Sequence, residues 1–157
     1  MISLKQENLT VLHVATLNQP IRPNLGYGPI ETVIYNIDKG LYASGHKSIV
    51  ACSGDSRVFG EHHVTIDRST GDYWSGNTTE KHKTMNMHFS KALYRARRGD
   101  IDIIHAHDPK AVEFMYDSVF KMNVPIVMTL HVSAEDSSLE GAYQRWANHL
   151  LASPLVY

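Results

Sequence analysis

The segment from Asp102 to Pro109 constrains the fold of this chain more than any other. A short apolar run ends there in three ionisable residues, His105, His107 and Asp108. Such a run is typical of a parallel strand that is buried on both faces. In open α/β sheets, ligands bind at the carboxyl ends of the strands. The segment therefore predicts an α/β fold in which these three side chains are candidates for the chemistry.

Strand-like and helix-like segments alternate along the whole chain. Apolar runs predict strands at residues 10–17, 47–52, 63–66, 101–106 and 125–130. Apolar residues at helical spacing predict helices around residues 30–41, 85–96, 112–119 and 139–150. This rhythm favours a doubly wound parallel sheet with helices on both faces and the first strand near its centre.

Composition narrows the class of protein. The 157 residues suit about one domain, and the net charge of −1 argues against a nucleic-acid partner. A single cysteine, Cys52, fits a reducing compartment, and no apolar stretch is long enough to span a bilayer. We therefore expect a cytoplasmic protein. Residues 155–157 resemble the start of another strand, so we expect residues 1–157 to be one domain of a longer protein.

Four motifs occur along the chain in this order: Gly26-Tyr27-Gly28-Pro29-Ile30-Glu31, Gly45-His46-Lys47, residues 102–107 and residues 125–131. Together they resemble the N-terminal domain of family 4 glycosyltransferases of the two-domain GT-B type. Tyr27 and Pro29 depart from the family pattern, which has adjacent glycines. The resemblance implies a Rossmann-like doubly wound sheet that forms the N-terminal, acceptor-side half of a GT-B fold. It also implies a retaining glycosyltransferase of carbohydrate biosynthesis with a nucleotide-sugar donor, and no metal or cofactor in the chemistry. The C-terminal donor-nucleotide domain would lie outside these residues.

The glycine loop, Gly26 to Gly28, is a candidate substrate-binding segment. Glycine allows a close backbone approach to a ligand, and the start of the next helix can bind a phosphate or a sugar hydroxyl. Pro29 suits the first helical turn, and Glu31 is placed to satisfy free helix amides. The resemblance implies that this loop lines the diphosphate-sugar part of the donor. A plain strand-to-helix connection is the alternative.

Two histidines lie at the ends of two different predicted strands. His107 and His131 should lie at the same edge of a parallel sheet, and a neutral imidazole can bond a sugar hydroxyl. The resemblance implies that His107 contacts the transferred sugar at the reacting carbon and that His131 lines the same cleft. Asp108 either binds a sugar hydroxyl or caps the following helix. His105 lies inside the strand and is interpreted as a hydrogen-bonded core histidine.

Other functions stay open at this point. The chain could be a stand-alone Rossmann-like module that binds a sugar or nucleotide without catalysis. His105, His107 and His131 could also ligate a metal in a hydrolase, although ten histidines make chance clustering easy and we expect no metal.

The predicted helix from Lys81 to Arg98 is basic along its length. One interpretation is peripheral contact with the inner face of a membrane, where a lipid-linked acceptor would lie; the other is a solvated face. Tyr73 and Trp74, in the loop before it, could stack on a carbohydrate acceptor or pack the loop down.

Overall fold

A computed structural model describes residues 8–71, 78–117 and 123–131. Helices and strands alternate in this part of the chain. They are β1 (Thr10–Val14), α1 (Pro29–Ala43), β2 (Lys47–Ser53), β3 (Glu61–Ile66), α2 (Thr78–Ala96), β4 (Ile103–Ala106), α3 (Pro109–Asp117) and β5 (Ile126–Met128). The predicted fourth helix, residues 155–157, and Tyr73 and Trp74 lie outside the described residues.

The five strands form one sheet in the order β3-β2-β1-β4-β5, and every pair is parallel. This arrangement confirms the predicted α/β class and the central position of the first strand. The chain proceeds to one side of β1 through β2 and β3, and then to the other side through β4 and β5. The strand order therefore reverses between β1 and β4, and their carboxyl ends border the crevice where doubly wound sheets bind ligands.

Apolar residues cover both faces of the sheet. One face packs against α2 and α3 through side chains such as Leu12, Ile104 and Phe89, which are buried. On the other face, Ile34 of α1 packs against Val50 of β2. α1 begins at Pro29, a residue suited to a first helical turn, and is followed by a glycine with a φ of 80° at position 45. Among the described residues, no helix is both long enough and apolar enough to cross a bilayer.

Several boundaries differ from the sequence prediction, among them the end of β1 and the start of α2. β1 ends at Val14 rather than at residue 17 because the chain then pairs with a loop: the amide of Thr70 donates to the carbonyl of Leu17 over 2.8 Å. α2 begins at Thr78, ahead of the first apolar residue of its stripe, since its first turn is polar and exposed. Apolar periodicity alone therefore does not fix where β1 ends or where α2 begins.

The basic helix α2 directs two of its cations toward the protein. The Arg95 guanidinium is 2% exposed; it donates to Asp100 over 2.6 and 3.1 Å and to Glu61 over 3.2 Å. The Lys91 ammonium donates to the carbonyl of Thr65 over 2.7 Å. These two side chains join α2 to the sheet and are not placed to contact lipid.

Replacement of Arg95 by methionine is expected to lower the free energy of unfolding by about 2–3 kcal/mol, since charge-assisted hydrogen bonds are lost and methionine restores only the packing. Arg98→Met is the matched control, because Arg98 is exposed in the turn that directly follows α2. Urea denaturation followed by circular dichroism measures both variants. Equal stability of the two variants would show that the Arg95 ion pairs contribute nothing.

Candidate functional site

The glycine loop lies directly before α1. Gly28 is the capping residue of the helix and has a φ of 151°, a conformation that side chains disfavour. Its carbonyl accepts hydrogen bonds from the amide of Thr32 over 2.9 Å and from its hydroxyl over 2.8 Å. Tyr27 is 82% exposed, so its ring extends into solvent beside the loop. The loop thus presents an aromatic side chain and a helix amino terminus at one edge of the sheet.

Glu31 anchors this loop to the end of β1. The carboxylate is 4% exposed and accepts a hydrogen bond of 2.8 Å from the hydroxyl of Thr16. The sequence suggested that Glu31 would satisfy free helix amides, but the contact is with the neighbouring strand end instead. Glu31 also lies under Gly28, where a β-carbon would be 3.1 Å from its Oε2. The result is a buried carboxylate between the loop and the sheet.

Gly28→Ala is expected to lower the free energy of unfolding by about 1–3 kcal/mol, because the added methyl would overlap the Leu25 side chain and the backbone conformation is strained. Gly26→Ala is the control, since a β-carbon there meets nothing within 4 Å. Thermal unfolding of the two variants makes the comparison. A Gly28→Ala protein as stable as Gly26→Ala would mean that the loop relaxes freely.

The structure brings His107 and His131 together. The Nδ1 atom of His107 lies 3.1 Å from Nε2 of His131, and the two rings stack with centroids 5.3 Å apart. His107 is 2% exposed, whereas His131 is partly exposed. The two histidines therefore form a pair in which His131 is the more accessible ring.

A third histidine, His13, joins this pair from β1. It stands in register with His105, and its Nδ1 atom lies 3.5 Å from Nε2 of His107. Residues two apart on a strand share a face, so His13, His105 and His107 project from the same side of the sheet. His13 was missed by the sequence analysis. The available signal was a histidine inside an otherwise apolar strand.

His105 is hydrogen-bonded, as the sequence suggested, although it is only partly buried. Its Nε2 atom lies 2.7 Å from the hydroxyl of Thr129. The metal interpretation grouped His105 and His107 with His131. The structure instead groups them with His13, and one ring nitrogen from each of these three residues lies within 4.8 Å of the others.

Asp108 caps the following helix. Its Oδ1 atom accepts a hydrogen bond of 2.9 Å from the amide of Lys110, and burial raises the pKa of its carboxyl. It also borders a cavity of about 130 Å³ on the α2 and α3 side of the sheet. The polar side chains that line this cavity are Thr16, Asn18, Thr70, Lys81, His88, Asp108 and Lys110. Asp108 thus lies on the opposite side of the sheet edge from the glycine loop.

Comparison with known proteins bears on this arrangement. A sequence model of glycosyltransferase family 4 matches residues 28–155, most of the chain. The chain belongs to glycosyltransferase family 4. A search of curated proteins found no match. The match begins at the glycine that caps α1 and includes both members of the His107–His131 pair, so the resemblance seen in the motifs is confirmed at the level of the family.

In this family 4 domain, the histidines of the site are neutral near pH 7. Burial lowers the pKa of His107 to about 2 and that of His13 to about 3, and neighbouring histidines add to both effects. Burial also lowers the pKa of His105 and of His131, while Glu31 opposes the shift at His131. Neutral rings offer a lone pair as well as an N–H group. The site can therefore bond sugar hydroxyls or ligate a cation without first losing a proton.

Proposed function

We propose that this domain is the acceptor-side half of a retaining glycosyltransferase of the GT-B type that uses a nucleotide-sugar donor. The observation that supports this proposal best is the contact of 3.1 Å between His107 and His131 at the edge where the strand order reverses. Glu31 links that pair to the glycine loop, because it lies under Gly28 and acts electrostatically on His131. A loop and a histidine pair at one edge suit a substrate with a diphosphate and a sugar.

In this proposal the glycine loop binds the diphosphate-sugar part of the donor. Backbone amides at the start of α1 carry a partial positive charge that favours anionic oxygens. Gly26 and Gly28 let the donor approach the backbone, and the exposed Tyr27 ring lies against the donor or the acceptor. Asp108 serves mainly as a helix cap and contributes a sugar contact only from the cavity side.

The histidine pair would act at the transferred sugar. His131, the more exposed ring, reaches the substrate first, and His107 behind it shares the contact and holds the orientation of the pair. Retention of configuration would proceed by front-face displacement through an oxocarbenium-like transition state. The chain then contributes positioning and hydrogen bonding to the developing charge, and no side chain acts as a nucleophile.

The acceptor is proposed to be a carbohydrate or a lipid-linked saccharide. The cavity beside Asp108 offers Lys81, Lys110 and hydroxyl groups to such a molecule. Peripheral contact of α2 with a membrane would depend on exposed cations such as Lys83, and Arg98 in the turn after the helix, since Lys91 and Arg95 bond the protein itself. Lys83 also pairs with Glu80 over 2.9 Å, which reduces the charge available to lipid.

Amide and imidazole NMR spectra of the chain, titrated with uridine and guanosine diphosphate sugars, test this proposal. We expect affinity on the order of millimolar, because one wall of a two-domain cleft supplies only part of the donor contacts. Shifts should concentrate at Gly26 to Gly28, His107 and His131. Shifts confined to other surfaces, or none at saturating donor, would contradict the proposed site. Binding without any sugar transfer, even by a protein that also contains the proposed donor-nucleotide domain, would favour a Rossmann-like module that binds a sugar or nucleotide without catalysis.

A further inference from the structure

Three histidine rings converge on the α1 side of the sheet, just inside the proposed sugar site. His13 on β1 and His105 on β4 are register partners, and His107 follows two residues along the same strand face. Their ring centroids are 4.2 to 5.7 Å apart. Among the described residues, these three form the group whose ligand atoms all approach within 4.8 Å.

The spacing within the group suits a shared cation better than a hydrogen bond. His13 Nδ1 and His107 Nε2 are 3.5 Å apart, which is long for an N–H···N bond. Two imidazoles that ligate one Zn²⁺ ion at about 2.0–2.1 Å each hold their nitrogens roughly 3.3–3.5 Å apart in a tetrahedral site. The observed separation therefore needs little change for both rings to bind one ion.

Partners already hold the outer nitrogens of two of the rings. Thr129 engages Nε2 of His105 over 2.7 Å, and His131 engages Nδ1 of His107 over 3.1 Å. Histidines that ligate metals almost always use their second nitrogen in this way, which sets the ring orientation and the tautomer. The inner nitrogens of both rings remain available for an ion.

His13 is the most deeply buried ring of the group. Its Nδ1 atom, which faces Nε2 of His107, is the nitrogen placed to ligate the ion. Its Nε2 atom has no hydrogen-bond partner among the described residues. Because buried polar atoms are rarely left unpaired in native proteins, that second nitrogen needs a partner of its own, such as a buried water.

We propose that His13, His105 and His107 bind a divalent transition-metal ion, with Zn²⁺ as the preferred occupant and a fourth position open to water or an anion. Imidazole suits Zn²⁺, Co²⁺, Ni²⁺ and Cu²⁺, whereas Mg²⁺ prefers oxygen ligands. Ligation through Nε2 leaves the proton of His107 on Nδ1, from which it is donated to His131. With the ion bound, both nitrogens of His107 are therefore engaged, so His131 makes the direct sugar contact and His107 shares in it through this hydrogen bond. The ion is thus a positioning element behind the histidine pair, and the sugar chemistry remains that of the side chains.

The test uses tag-free, chelator-treated protein. Titration calorimetry with ZnCl₂ is expected to show one equivalent bound with micromolar or tighter affinity, and MgCl₂ is expected to give no heat of binding. CoCl₂ should produce visible d–d bands typical of nitrogen ligation with few ligands. His13→Gln and His105→Gln should each weaken Zn²⁺ binding at least about tenfold. His82→Gln, at an exposed helical position, is the control and should bind like the unaltered chain.

Circular dichroism first establishes that each variant is folded. Imidazole ¹⁵N shifts of the unaltered chain, recorded with and without Zn²⁺, give a result that does not depend on any variant: only the rings of His13, His105 and His107 should move by the amount typical of metal ligation. Absence of stoichiometric Zn²⁺ binding would overturn the proposal. So would binding that survives both His13→Gln and His105→Gln, or ligation shifts at other histidines.

Discussion

Lowering the pH from about 7 to about 4.5 is expected to unfold the metal-free domain. Three buried histidines stay neutral in the folded domain at these pH values, whereas the same residues become protonated in the unfolded chain. Burial lowers the pKa from 6.5 to about 3 at His13, to about 4 at His88 and to about 2 at His107. The unfolded chain takes up protons below about 6.5, whereas the folded chain does not. Stability is therefore full above that pH and is lost as the pH falls toward the folded values.

The hydrogen bonds of His88 show why its ring stays neutral in the folded domain. Its Nε2 atom lies 2.9 Å from the carbonyl of Ala15 and must carry the hydrogen. In a neutral ring, Nδ1 then accepts from the hydroxyl of Thr65, 2.6 Å away. Protonation would remove that acceptor and place a charge in a site with no exposed surface. The hydroxyl could turn to the carbonyl of Cys52, 3.1 Å away, but the charge would stay buried.

The expected size follows from linkage. Each of the three histidines contributes about 1.4 kcal/mol per pH unit, so two units below about 6.5 remove roughly 3 kcal/mol per group. Together this is of the order of the whole stability of a small domain. Urea denaturation at several pH values with a chelator present measures the slope. His88→Gln should reduce the slope by about one proton, and His82→Gln should leave it unchanged. A stability that stays constant between pH 7 and 5 would contradict the prediction.

Under the proposed function, His107→Ala is expected to lower the turnover of sugar transfer by about two orders of magnitude or more, because it removes a hydrogen-bonding group that stabilises the transition state. His131→Ala should have an effect of similar size, since the rings act as a pair at 3.1 Å. The double variant should be little worse than either single one, as expected for residues that act as a unit.

Donor turnover, measured with an enzyme that contains both this domain and the proposed donor-nucleotide domain, tests this prediction. Circular dichroism of each variant shows whether its fold is intact. His82→Ala is the matched control: it removes an exposed histidine of α2 and should leave turnover unchanged. Turnover like that of the unaltered enzyme in His107→Ala would remove this residue from the mechanism. A loss in His131→Ala alone would assign the sugar contact to His131 and leave His107 a structural role.

Most of the fold could be predicted from local patterns. The apolar strand ending at His105 and His107 and the periodicity of the helices are properties of consecutive residues, so they are legible in one sequence. Right-handed crossovers then leave few arrangements for such a chain, and the parallel sheet with its first strand at the centre followed from that rule. Element ends were less predictable, because loop hydrogen bonds such as that of Thr70 with Leu17 decide them.

The composition of the candidate site was predictable only in part. His107, His131 and the glycine loop carry recognisable motifs, and strand ends in a parallel sheet meet at one edge. The sequence by itself therefore determined the family, the class of fold and the edge of the sheet where chemistry is expected. Only the tertiary structure placed His13 beside His107, which is 94 residues further along the chain, and buried Glu31 under Gly28. Strand register and side-chain burial set these contacts, and neither is encoded in the local spacing of residues.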